Sequence, residues 1–374
     1  MYRLKSIKPI ILISLFIVSS LTYDIYGQCE SECFGDNTSF GNSAGENITS
    51  RFSDNSFFGF SSGRNTTGQN NSFFGSPSGS NNMTGFNNSF FGASSGRDNT
   101  TGSSNSFFGE FSGLQNTTGS SNSFFGASSA FDNTTGRSNS FFGVFSGFRN
   151  TTGSQNSFFG QNSGGANTTG INNSFFGRDS GRNNTTGSRN SFFGEEAGVQ
   201  ITSGSLNVII GSGAGPTSAN DTISNRLYID VNDAFNPGND DPLIYGEFDN
   251  DFVRINGTFE VTAGLTNPSS IKLKDRFAAV APMLVLDKIN ELDISEWSYK
   301  SDPEVRHIGP TAESFYEAFG LGTGGNNIST IDADGVSLIA IQALTQELKK
   351  KDQEIDELKE RLNRIEQLLL AEKK

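Results

Sequence analysis

Few residues of this chain have the chemistry of a catalyst, and they are scattered. Its two cysteines are Cys29 and Cys33, its single histidine is His307, an acidic stretch carries Asp230, Asp233, Asp240 and Asp241, and a glycine-rich GTGG spans 322–325. Two cysteines without a supporting histidine make a poor metal site; in an exported chain they read as a local or interchain disulfide. The acidic stretch lacks the spacing of an EF-hand loop and reads as solvated loop rather than calcium site. GTGG is not followed by the Lys and Ser or Thr of a phosphate loop. His307 lies inside an apolar and aromatic motif, where a lone histidine is a packing residue. No cofactor and no metal is expected. The net charge of −13 without a basic stripe excludes nucleic acid as a partner.

The bulk of the chain is occupied by repetition. The phrase NSFFG, followed by SG and then NTTG, recurs from Asn37 to about Gly215, opening at Asn37, Asn55, Asn71, Asn88, Asn105, Asn122, Asn139, Asn156, Asn173, Asn190 and Asn207. After steps of 18 and 16 residues, every step is 17. A unit that short cannot bury its own apolar face, so it must stack on its neighbours as a β-roll or β-solenoid. The two adjacent Phe of each unit sit in a strand-sized segment closed by Gly, and alternation sends their rings to opposite faces. One ring stacks inside the coil. The other forms an apolar stripe of a kind that soluble monomers rarely expose, which implies a partner chain, most simply an identical one. The remaining Asn, Ser, Thr and Gly supply turn chemistry, with NTTG as corners between short strands. The same NTT phrases are glycosylation sequons, and their regular Thr could form ladders of the kind an ice- or glycan-binding solenoid uses.

The flanks carry different signals. Residues 1–27 combine Arg3, Lys5 and Lys8 with an apolar run from Ile10 to Leu21 and a polar approach to Gly27, the layout of a cleaved signal peptide and short for a membrane span. Residues 28–36 hold the two cysteines. Beyond the repeats at 37–215, residues 216–266 read as a linker and a small β module built from LYIDV (227–231), LIYGEF (243–248) and FVRING (252–257). From 267 the composition becomes that of an ordinary packed domain with helices.

That last region carries several ordered phrases: SSIKLKDRF (269–277), EWSYK (296–300), VRHIGPTAESFYEAFGLG (305–322) and ISTIDADGVSLIAIQAL (328–344). In these phrases it resembles the C-terminal intramolecular chaperone domain of endosialidases and phage tail spikes, a self-cleaving serine/lysine peptidase family. The resemblance implies a homotrimer that assembles the preceding β-rich fibre and then cuts itself off. It also implies roles: the family's opening phrase is similar to SDxxLK, which maps its nucleophile to Ser269 and its base to Lys274, with cleavage between Pro268 and Ser269. The chain departs from the phrase at Ser270, where the family has Asp, and Pro268 restricts the backbone at the scissile bond. The repeats resemble, more loosely, the heads of trimeric autotransporter adhesins.

The C-terminus at 341–374 shows a heptad seam of Ile341, Leu348, Ile355, Leu362 and Leu369 alternating with Leu344, Lys351, Leu358 and Ile365. Such a seam makes a coiled coil, and its Ile and Leu mixture does not choose between two strands and three; the family resemblance implies three. A single amphipathic helix packed on its own domain is the alternative. The whole chain thus reads as mainly β: a solenoid stalk, a small β module, a helix-rich chaperone domain at 267–340 and a trimeric coiled coil. Its expected role is that of an exported, bacterial adhesin-like fibre at the cell surface or released, without a transmembrane anchor in the mature chain, meeting a surface receptor or glycan. A phage-type tail fibre and an ice- or glycan-binding solenoid are the alternatives. No external substrate is expected.

Overall fold

The computed structural model describes residues 37–48, 53–218, 222–231, 241–262, 268–300, 302–322 and 324–372. The signal peptide expected at 1–27, together with Cys29, Cys33, Asp233 and Asp240, lies outside the described residues. The chain divides into two compact units, Met1–Glu260 and Val261–Lys374.

In the first unit each repeat is one coil of a β-solenoid. A coil contributes a single three-residue strand, beginning with β1 (Thr38–Phe40) and β2 (Ser56–Phe58) and ending with β10 (Ser191–Phe193) and β11 (Val208–Ile210). The rest of the coil is bends and turns, so NTTG joins a strand to a turn where further short strands had been expected. Successive strands pair in parallel and in register, Phe107 opposite Phe124 and Phe108 opposite Phe125. The inner rings, from Phe57 to Phe192, are fully buried and stack 4.6–5.2 Å apart. The outer rings, from Phe58 to Phe193, form a second stack at 4.6–5.1 Å and remain only half-buried.

Phenylalanine supplies only part of the core. The Asn that opens each phrase from Asn55 to Asn207 is also fully buried. In the coil of Asn122 its amide nitrogen donates to Gly136 O at 2.9 Å, while its backbone N–H donates to Asn105 Oδ1 at 3.0 Å. The Asn of NTTG makes a second ladder: Asn133 Nδ2 donates to Asn116 Oδ1 at 2.7 Å, and Asn150 Nδ2 to Asn133 Oδ1 at 2.8 Å. The Ser of SG ties each coil to the next, Ser112 Oγ donating to Phe124 O at 3.2 Å. Each such bond contributes about 0.5–1.5 kcal/mol, and each would leave a buried polar group unsatisfied if its partner were lost. These ladders offset the small apolar content that a 17-residue coil can offer.

Three glycines per coil are held by close approach; at the NTTG corner a Cβ on Gly136 would lie 2.4 Å from Gly153 O of the next coil. At the end of NSFFG, Gly126 has φ +138°, and a Cβ there would lie 2.4 Å from Gly143 O in the next coil. In the SG phrase the residue faces the inner ring: a Cβ on Gly147 would lie 2.3 Å from Phe141 Cε2. One coil departs from the rule at SG. Ala130 holds that place with φ 53°, and the ring of its own coil, Phe124, stands 5.1 Å and 17° from Phe141 but 4.7 Å and 7° from Phe107. The methyl displaces the stack. Ala130→Gly is therefore expected to raise the thermal midpoint, by about 1 kcal/mol of stability, since relief of the left-handed strain exceeds the entropy that Gly adds to the unfolded chain. A lower midpoint would mean instead that the methyl fills useful space.

The stack is closed at its start by a polar coil, where Ser39 stands opposite Phe57 and Ala44 and Ile48 pack on the core. At its far end the three β segments expected after the repeats form β12 (Arg226–Ile229), β13 (Ile244–Glu247) and β14 (Phe252–Ile255). β12 pairs in parallel with β11 and so extends the solenoid sheet, while β13 and β14 add to it antiparallel. All fourteen strands belong to one sheet.

The second unit is built from a hairpin, β15 (Ser295–Tyr299) and β16 (Asp302–Gly309), and three helices, α1 (Pro282–Glu291), α2 (Ala312–Phe319) and α3 (Thr330–Glu372). Pro282 opens α1, and α2 is capped by Thr311, whose side chain accepts from Ser314 N, and by Gly320 in the left-handed region at φ 64°. Lys288 of α1 donates to the last turn of α2 at Ala318 O, 2.6 Å away. A small core joins the three helices through Val285, Phe315 and Val336, with Ile289, Phe319 and Ile339 packed around it.

Candidate functional site

Ser269 and Lys274 are brought together. A 3-10 turn over Ile271–Leu273 begins at Ser270, whose Oγ accepts from Lys272 N at 3.3 Å. The turn folds the chain back so that Lys274 Nζ donates to Ser269 Oγ at 2.7 Å. Capping thus falls to Ser270, the position where the family phrase has Asp, and Ser269 keeps its hydroxyl for the lysine. An amine accepts a serine proton only when its surroundings disfavour the ammonium, which burial achieves. In the single chain residues 268–281 are exposed throughout. The pair therefore has the contact that the chemistry needs and lacks the exclusion of water.

The remaining candidates occupy structural places. His307 stacks on Trp297 across the hairpin at 4.7 Å and meets Tyr299 edge-on at 5.3 Å. Asp241 pairs with Arg254 at 3.0 Å, and the backbone N–H of Asp230 donates to Ile210 O in the solenoid sheet. Among the described residues no group of His, Cys, Asp and Glu could hold a metal ion. Gly322 and Gly324 adopt φ of 90° and 143° in the loop between α2 and α3. In the NTT phrases from Asn99 to Asn184 the Asn side chains of the sequons, such as Asn116 and Asn133, are fully buried and bonded to one another, so in the folded coil those amides are not free to carry a glycan, whereas Asn65 is only partly buried. From Thr100 to Thr185 the first Thr of each phrase is spent on the next coil, Thr117 Oγ1 donating to Thr134 O at 2.9 Å. Only the second, as at Thr118, stays exposed, which makes a single file of hydroxyls rather than a flat array.

The heptad residues lie on α3 with no cover from their own domain. Ile341, Leu344, Leu348, Ile355, Leu358, Leu362, Ile365 and Leu369 are 47–64 % exposed; α3 packs on its unit through its first turns, at Val336, Ile339 and Ala340. The alternative of an amphipathic helix laid on its own domain does not account for that seam. At the polar seam position, Lys351 Nζ pairs with Glu354 Oε2 at 2.8 Å; the bond raises the Lys351 pKa and lowers that of Glu354. No helix among the described residues is long and apolar enough to cross a membrane.

No curated protein and no solved structure matches the chain. A family model does match, and its span contains the Ser269–Lys274 pair, the hairpin with its aromatic cluster and α2, ending at the Gly320 cap. Residues 269–320 are similar to the family described as the chaperone of endosialidase.

Proposed function

We propose that this chain is an exported trimeric fibre protein whose C-terminal region assembles it and then cuts itself off ahead of Ser269. The observation that carries the reading is the pair of apolar surfaces a lone chain leaves uncovered. One is the α3 seam. The other is the outer row of the solenoid sheet, which runs without a break from Phe58 to Phe193 and on through Ile210, Ile229, Ile244 and Ile255. A helix seam and a sheet face that are both apolar over such lengths call for copies of the same chain. The chaperone-type domain beside the seam supports a trimer. In that assembly each copy would wall off the exposed Ser269–Lys274 pair and supply the dry surroundings that the transfer of the serine proton to the lysine requires. The hydroxyl oxygen would then attack the Pro268 carbonyl in an N-to-O shift that breaks the Pro268–Ser269 C–N bond, the proton held by Lys274 passing to the released Ser269 amine; water would then hydrolyse the resulting ester, leaving a carboxylate at Pro268 and restoring the Ser269 hydroxyl.

The test is the intact and denaturing mass of the exported protein beside a Ser269→Ala variant. Two fragments parted at Ser269 in the parent and a single chain in the variant are expected, both trimeric before denaturation. An uncut trimer in both would remove the cleavage and keep the assembly; a monomer would remove both. A second reading, a phage-type tail fibre, is favoured by the chaperone match itself. The N-terminal residue of the mature chain separates the two, since export predicts a start near Gln28.

A further inference from the structure

Three consecutive coils break the repeat at one corner. Where other coils place Ser61, Ser80, Ser94, Arg97, Asn162 or Arg182, the coils opening at Asn105, Asn122 and Asn139 place Phe111, Leu114, Phe131, Phe145 and Phe148. These residues touch: Phe131 stacks on Phe148 at 5.2 Å, Phe145 meets Phe148 edge-on at 5.6 Å, and Phe111 meets Phe131 edge-on at 6.3 Å. Leu114 is buried beneath them and Phe145 is 44 % exposed. Immediately beside this apolar column, one residue later in each coil, runs a polar one of Gln115, Asp132 and Arg149. Gln115 Nε2 donates to Asp132 Oδ1 at 3.0 Å, and Arg149 acts on Asp132 by charge.

The geometry points to a binding site for an oligosaccharide lying along the solenoid axis over these three coils. Three other occupants fit worse. A second copy of the chain needs roughly 800 Å² per partner, whereas three coils at about 4.8 Å each give a patch only about 14 Å long. A peptide strand needs free backbone groups, but the amides of this corner are spent between coils: Phe111 N on Ala93 O, Gln115 N on Phe131 O, Asp132 N on Phe148 O and Phe145 N on Ala127 O. An acyl chain would cover the apolar column and desolvate the polar one without returning its hydrogen bonds. A sugar chain presents C–H surface to the rings and hydroxyls to the carboxylate, amide and guanidinium, and it repeats along its length as the coils do. The site stands on the solenoid alone and does not depend on trimer formation.

The variant Phe131→Ser with Phe145→Ser and Phe148→Ser puts at each position a residue the repeat already uses there, as at Ser80 and Ser128, so the coils should still fold. Labelled full-length protein, parent and variant, is applied to immobilised oligosaccharides of hexoses, N-acetylhexosamines and uronic acids, with the melting curve and native mass of both recorded. Binding by the parent to at least one class, lost roughly tenfold or more in a variant that melts and assembles normally, is the expected result. Binding to no class, or equal binding by both proteins, overturns the site. A variant with a changed native mass overturns it too, and assigns the corner to contact between chains.

Discussion

Gly126→Ala is expected to break the solenoid in its middle, while Gly165→Ala, the same change about two coils away, is expected to leave it intact. The added methyl at Gly126 would stand 2.4 Å from Gly143 O, 2.5 Å from Gly143 C and 3.0 Å from Val144 N, with φ at +138°. All three neighbours are backbone, so no rotamer change makes room; the next coil has to move off. That movement pulls on the inner Phe stack, both Asn ladders and the strand pairing at once. A loss of about 3–5 kcal/mol follows, in the range reserved for strain combined with broken packing. At Gly165 the nearest atom is Asn162 Oδ1 at 2.2 Å, the end of a side chain that can swing away. Equivalent coils carry Arg182 and Phe148 at the same position. Denaturant unfolding followed by circular dichroism separates the two variants. Equal midpoints would show that coil spacing is soft and that the glycine ladder tolerates side chains.

That contrast also shows what the sequence displays and what it conceals. A strict 17-residue step with a Phe pair in every unit is enough to read a stacked solenoid, and to place one ring inside and one outside. It does not separate a glycine kept for its φ from one kept because another chain segment lies against it; only the register of the repeat, which puts Arg182 and Phe148 where Gly165 stands, marks that glycine as dispensable. Asparagine hides its role more completely. At turns it is favoured because it tolerates the left-handed region, and a repeat that uses it twice per coil looks like turn chemistry. In the fold Asn122 and Asn133 are interior ladders, and the signal that could have revealed them is their invariance within the repeat, sharper than that of the Ser, Arg and Phe on the outer corners. At the candidate site the spacing from Ser269 to Lys274 is legible only through the resemblance. The turn that joins them depends on Ser270, which the family phrase would have discounted.

Leu358→Asp is expected to dissociate the assembled protein. Leu358 lies mid-seam on α3 and is 60 % exposed in the single chain, so the carboxylate costs little in a lone copy. In a trimeric coiled coil three carboxylates would meet at one layer, where each buried leucine otherwise contributes about 1.5–3 kcal/mol and each unpaired charge adds a desolvation penalty. If the chain assembles as proposed, the native mass should fall from three chains to one, and the outer Phe row, left uncovered, should drive aggregation. Lys351→Ile provides the opposite change at the polar layer of the same seam. Lys351 bonds Glu354 on the helix surface, an exposed pair of the kind that contributes little, so replacing it removes a polar layer from the interface at small cost to the single chain. The assembled protein should then melt higher than the parent. A Leu358→Asp protein that keeps the parent's native mass would show that the seam on α3 is not where the chains meet, whatever holds them together.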